Sequence, residues 1–213
     1  GDHQGSSELQ QVIAISLFSF YFCDNSLSND MNNKQTQILI AGGLVFMAAA
    51  ARVVNAEMHL YNFAPVAALG LFCGAVVKDK RYAFLFALLG QFLGDIYFGL
   101  FTSTQGFYGI AQVFTYVALI AVTALGMLMR NVKALNVLAY TLGGSVLFFL
   151  VSNFGYFAQG WNGYSFSGLT KTYIDALPFY RNSIVGDLIG STLLFGLYAL
   201  LQRSLVGRTS KAI

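Results

Sequence analysis

The chain has 213 residues, of which 56% are apolar and only 10% charged, with a formal net charge of +3. Ordinary soluble domains carry about 25% charged residues, so this composition excludes a disordered chain, a soluble domain with a charged surface and a large extramembrane domain. The small, scattered positive charge excludes nucleic acid as a partner, and the two cysteines, Cys23 and Cys73, form neither a disulfide scaffold nor a metal knuckle.

In chain order, residues 1–10 carry no functional motif. The apolar stretch 11–23, QVIAISLFSFYFC, has the length of an interfacial or re-entrant segment. Without a preceding Lys or Arg it is a poor signal peptide, and an extra crossing here stays open. A polar linker follows. Six apolar stretches then read as membrane spans: 36–54, 62–77, 82–101, 108–129, 134–158 and 184–202, of which the second is short and is expected to borrow turns from its polar flanks. The expected architecture is all-α and polytopic: an N-terminal tail at 1–35, a six-helix transmembrane domain at 36–202 and a basic tail at 203–213.

Of the twelve Lys and Arg residues, nine (Lys34, Lys78, Lys80, Arg81, Arg130, Lys133, Arg203, Arg208 and Lys211) fall on one side of such a bundle. By the positive-inside rule that side is cytoplasmic. The expected location is a bacterial inner membrane with the C-terminus inside.

Small residues recur within the spans, and in lipid they let helix backbones approach closely. Gly70 and Gly74, Gly90 and Gly94, and Gly186 and Gly190 are each four apart. The first span gathers Gly42, Gly43 and Ala48 to Ala51. Gly43, Ala48 and Ala49 are therefore candidates for docking a partner subunit, with packing inside the bundle as the alternative.

An ionised side chain at the bilayer centre costs at least about 2.5–3.5 kcal/mol on insertion scales, so each one needs a reason. Asp95 lies inside the third span with Gln91 one turn before it. Asp187 lies about one turn inside the last expected span, where it suits a helix N-terminus. Arg52 closes the first span and is the natural partner for one of them. Glu57, His59 and Asn62 follow in the connection NAEMHLYNFAP, which ends at Pro65 in the first turns of the second span.

The segment 159–183 is rich in aromatics. Its residues 168–177 predict a short amphipathic helix on the membrane surface, with Lys171 and Asp175 at i,i+4. Pro178 is expected to end or bend it, and Asn182 or Ser183 to cap the last span. This segment is either an interfacial aromatic belt or a lid, with Trp161, Tyr164, Tyr173, Phe179 and Tyr180 on it and Asn153 and Tyr156 beside it.

Nucleotide-binding glycine loops, a Ser-hydrolase elbow and HExxH are all absent, so no catalytic residue, metal site or cofactor is assigned.

Three blocks carry a likeness: the connection from Arg52 through NFAPVAALGLFCGA, GDIYFG at 94–99, and ALPFYRNSIVGDL at 176–188. Over roughly residues 38–202 the chain resembles an uncharacterised family of small bacterial integral membrane proteins. More distantly, it resembles the substrate-binding subunits of energy-coupling-factor vitamin transporters. That resemblance implies six helices that capture a vitamin from outside, driven by a separate transmembrane coupling subunit with two ATPases. Such subunits dock through an Ala-x-x-x-Ala face on the first helix; here Ala41 and Ala49 are eight apart instead.

The expected function is uptake of a small organic solute, a vitamin or cofactor precursor. Arg52, Glu57, Asn62, Asp95, Asn153, Trp161 and Asp187 are expected to line an outward-facing pocket. The alternatives are a structural subunit of a larger membrane complex and an intramembrane enzyme using Asp95 and Asp187.

Overall fold

Long apolar runs with few breakers become helices in this chain. The computed structural model describes residues 34–57, 65–102 and 105–209. Six α-helices occur among them, with no strand: α1 Lys34–Glu57, α2 Val66–Val76, α3 Lys80–Phe101, α4 Ile110–Met127, α5 Ala134–Ala158 and α6 Phe166–Thr209. The segment 11–23, Cys23, Asn62 and the connection around His59 lie outside the described residues.

Four helices are long and apolar enough to cross a membrane: α3, α4, α5 and the stretch Phe166–Leu201 of α6. Phe46, Phe101, Val113 and Leu135 stand exposed on the outer surface, as suits a bundle surrounded by lipid. The apolar parts of α1, Ile38–Val54, and of α2 are shorter than these four.

Helix α2 decides the packing. Its 11 residues rise only about 16 Å, roughly half of a hydrocarbon core. The second expected span is therefore a half-length helix. It is apolar all round, with Ala67 through Gly74 and Val76 buried, and it touches all five other helices. A helix without a polar face belongs in the centre of a bundle. Phe72, fully buried, packs edge-on against Phe195 and Tyr198 of α6 with ring centroids 5.3 and 5.7 Å away.

Glycine makes this central position accessible. A Cβ on Gly74 would strike the Thr123 carbonyl of α4, and one on Gly126 of α4 would strike the Leu71 carbonyl of α2. The two backbones thus lie in direct contact. Gly190 of α6 is held against Pro65 in the same way, at the residue that precedes α2. Gly43 differs: it is exposed, and a Cβ there would meet nothing within 4 Å. Ala48 is half-buried against the core and Ala49 is buried, so the small residues of α1 point in different directions.

The C-terminal third departs from the sequence expectation. Helix α6 runs unbroken for 44 residues with Pro178 inside it, and no separate surface helix precedes a last span. Proline removes one N–H and crowds the carbonyl four residues earlier. That carbonyl belongs to Ile174, on an exposed stretch with Leu177 and Phe179, where the loss is tolerated. Asn182 and Ser183 accordingly sit in mid-helix, and the Ser183 hydroxyl donates to the Phe179 carbonyl (3.2 Å) rather than capping a helix. The expected Lys171–Asp175 pair forms on the exposed face at 2.6 Å.

Gly74→Leu should abolish a monodisperse peak in detergent size-exclusion chromatography, because overpacking of even a side-chain contact costs about 1–3 kcal/mol and this one meets backbone. Gly43→Leu should leave the elution profile and melting temperature unchanged.

Candidate binding cavity

The site lies at the end of the bundle where α1 finishes, α2 begins and α5 turns into α6. The turn after α5 uses Gly160 and Gly163 at positive φ, 82° and 79°, a conformation that costs a side chain dearly. It carries Trp161 and Asn162 over the bundle end. Gln159, closing α5, accepts from the Ala111 N–H (3.1 Å) and so satisfies the first turn of α4.

Beneath that turn is a cavity of about 610 Å³. Arg52, Asn153, Trp161 and Asp187 line it, as do Phe179 and Tyr180 of α6. Tyr164 and Tyr173 are placed elsewhere: Tyr164 packs against Phe157, and the Tyr173 hydroxyl ties α6 to the Leu150 carbonyl of α5 (2.8 Å). Glu57 ends α1, but its side chain lies outside the described residues, as does Asn62.

Asp95 sits behind the cavity wall rather than on it. It is 1% exposed and accepts from four side chains. Arg52 Nη2 is at 2.8 Å, Gln91 Nε2 at 3.1 Å, Gln112 Nε2 at 3.1 Å and the Tyr116 hydroxyl at 2.8 Å. Arg52 donates through its other terminal nitrogen to the Gln91 carbonyl (2.9 Å) and lies over the Phe98 ring, 5.1 Å from its centroid. It can lie flat across α3 because Gly94 has no side chain: a Cβ there would be 2.5 Å from Arg52 Nη1. The Gly94–Asp95 pair thus provides both the seat and the counter-charge for the arginine. A buried carboxylate is tolerable when it is paired and its lone pairs are filled, and both conditions hold here.

Asp187 does a different job from the one the sequence suggests. Because α6 begins at Phe166, Asp187 lies deep within its own helix and far from its N-terminus. Instead it caps another helix: its carboxylate accepts from the Ala68 N–H in the first turn of α2 (3.1 Å) and from the Ser145 hydroxyl of α5. The N–H groups of a first helical turn have no partner within the helix. Inside a bundle they must find one on a neighbour. Asp187 is 3% exposed, and among the described residues no Lys or Arg pairs with it.

Aromatic rings make up much of the remaining wall. Tyr108 and Tyr156 are nearly parallel with centroids 6.4 Å apart, and Trp161 meets Tyr156 edge-on at 5.4 Å. Opposite, Phe149 packs on Tyr180 at 4.5 Å. The Tyr180 hydroxyl is buried and has no hydrogen-bond partner among the described residues. Ser152, Asn162 and Thr172 add hydroxyl and amide groups, with Asn162 Nδ2 donating to Thr172 (3.1 Å). This mixture, mostly apolar rings with a few placed polar groups in a volume of several hundred Å³, is that of a small-molecule site.

Sequence reasoning did not select Gln112, Tyr116 or Ser145. Gln112 and Tyr116 stand four apart in α4 and thus on one face, which was the available signal. Ser145 follows the pair Gly143–Gly144 and has no distinguishing pattern. No group of three or more His, Cys, Asp or Glu able to hold a metal occurs among the described residues.

Arg52→Gln should lower the detergent melting temperature severely, since stranding a buried carboxylate costs about 3–5 kcal/mol. Asp95→Asn should be milder, because Arg52, at 16% side-chain exposure, has a route to water. Combining Asp95→Asn with Arg52→Gln should recover part of the loss, which a double-mutant cycle of melting curves will measure.

Comparisons place these features in one family. No curated protein and no solved structure matches the chain. The model of a family described as "Family of unknown function (DUF6580)" matches residues 32–210. The described helices and the cavity therefore fall within the matched region, and the chain belongs to the DUF6580 family.

Proposed function

We propose that this protein binds a small organic solute in a membrane, as the capture component of an uptake system. The observation that carries the reading is the cavity of about 610 Å³ at one end of the bundle, walled by Tyr108, Tyr156, Trp161 and Phe149 and studded with Asn153, Asn162, Ser152 and Thr172. Aromatic faces suit a flat or ring-shaped ligand, and the amides and hydroxyls give it orientation. Lys78, Arg130 and Lys133 in the connections, and Lys80 and Arg81 in the first turn of α3, lie at the opposite end. The positive-inside rule then turns the cavity outward and the C-terminus toward the cytoplasm of a bacterial cell. The likeness to the substrate-binding subunits of vitamin transporters points the same way by analogy. On that analogy a separate coupling subunit supplies the energy and docks on α1, where Gly43 is exposed with open space in front of it.

Trp161 is the single tryptophan of the chain and lines the cavity, so intrinsic fluorescence reports on the site. The full chain in nanodiscs, titrated with vitamins, cofactor precursors and nucleobases, should show saturable quenching by at least one compound. Asn153→Leu should weaken that binding about tenfold or more. Absence of saturable binding across the panel, together with no small molecule retained from native membrane in mass spectrometry, would overturn the reading.

A second reading, a structural subunit of a larger membrane complex, draws support from the Asp95 network, which is complete without a ligand. It calls for a protein partner that co-purifies from native membrane and for no solute. An intramembrane aspartate enzyme has less behind it, because Asp95 and Asp187 are held by separate sets of donors.

A further inference from the structure

The charges around the cavity leave one carboxylate without a cation. Three charged side chains line the wall: Arg52, Asp175 and Asp187. Arg52 is neutralised from behind by Asp95 at 2.8 Å. Asp175 is neutralised by Lys171 at 2.6 Å and stands in solvent. Asp187 alone faces the cavity with only neutral donors on it, the Ala68 N–H and the Ser145 hydroxyl. It is also nearly fully buried, in the part of the bundle where an unpaired charge is least tolerable. The same wall carries the orphan Tyr180 hydroxyl and the faces of Tyr108, Tyr156 and Phe149. Electron-rich ring faces attract cations, and a phenol oxygen accepts a hydrogen bond from an ammonium.

We propose that the cavity is built for a ring-bearing organic cation whose ammonium group seats between Asp187 and Tyr180. This rests on the solute-binding reading above and adds the charge of the solute to it. The arrangement assigns roles by position. Asp187 supplies the counter-charge while its second function, capping α2, fixes its height in the bundle. Tyr180 takes an N–H. The Tyr108–Tyr156–Trp161 row stacks on the ring. Arg52, already paired with Asp95, shapes the wall without attracting an anion. A carboxylate-bearing solute would find no unpaired cation among the described residues of the wall.

The test compares matched probes that differ in one group: aminomethyl, hydroxymethyl and carboxylate derivatives of pyridine, pyrimidine and imidazole. Binding to the full chain in nanodiscs is read by Trp161 fluorescence and by calorimetry. The amines should bind at least tenfold more tightly than the matched alcohols, and the carboxylates most weakly. Asp187→Asn keeps an acceptor for the Ala68 N–H, and it should erase the tenfold preference of amine over matched alcohol. Tyr180→Phe should lower amine affinity several-fold. If the Asp187 variant does not fold, the comparison of amine with alcohol on the native protein decides alone. Equal binding of amines and alcohols, or a preference that survives Asp187→Asn, would overturn the cation assignment and leave the solute-binding reading standing. Tightest binding by the carboxylates would do the same and would move the anchor to Arg52. No binding by any probe would count against both.

Discussion

A half-length helix in the middle of a membrane bundle must satisfy its backbone inside the protein. An unpaired N–H in an apolar interior costs several kcal/mol. Helix α2 is in that position, and much of the rest of the structure answers it. Pro65 leads into the helix without an N–H of its own to satisfy. Gly190 lets α6 come close enough for Asp187 to reach the Ala68 N–H. Ser145 holds the carboxylate from α5. Gly74 and Gly126 then bring α2 and α4 into backbone contact further along. The cavity lies beside the first turn of α2, where Val66 and Ala67 line it together with Asp187. The cap of α2 and the cavity wall thus share one residue, Asp187.

The two buried aspartates show how surroundings divide roles between identical side chains. Asp95 has a cation and three further donors, so its charge is spent within the protein and fastens α1 to α3 and α4. Asp187 has two neutral donors and a cavity in front of it. In a medium of low dielectric that difference outweighs any contrast in depth or exposure, since both are nearly fully buried. Removing the partner of Asp95 strands a charge. Changing Asp187 alters both a helix cap and the electrical character of the cavity.

The all-α architecture was legible from composition and from apolar run length, because lipid leaves few other options to a chain so poor in charge. The helices at 80–101, 110–127 and 134–158 fall close to the apolar stretches that foretold them. Hydropathy measures greasiness rather than neighbours, so it could not tell that 66–76 is a short helix at the centre of the bundle. Pro178 was the other misleading sign: proline is a strong breaker in general, yet one missing hydrogen bond on an exposed stretch does not end a helix of 44 residues. That error propagated to Asp187, whose role depends on where its helix starts. Arg52, Asp95, Asn153, Trp161 and Asp187 stood out because polar groups and tryptophan are conspicuous against apolar surroundings. Gln112, Tyr116 and Ser145 are quieter, and only folding brings them to the carboxylates they serve.

The unbroken length of α6 has a structural corollary. At 44 residues it extends about 66 Å, roughly twice the hydrocarbon thickness. One continuous helix therefore runs from the aromatic wall, past the carboxylate that holds α2, to the other end of the bundle. Its Phe179 and Tyr180 line the cavity while its Phe195 and Tyr198, further along, pack on Phe72 of α2, so the site and the core share one element with no loop in between.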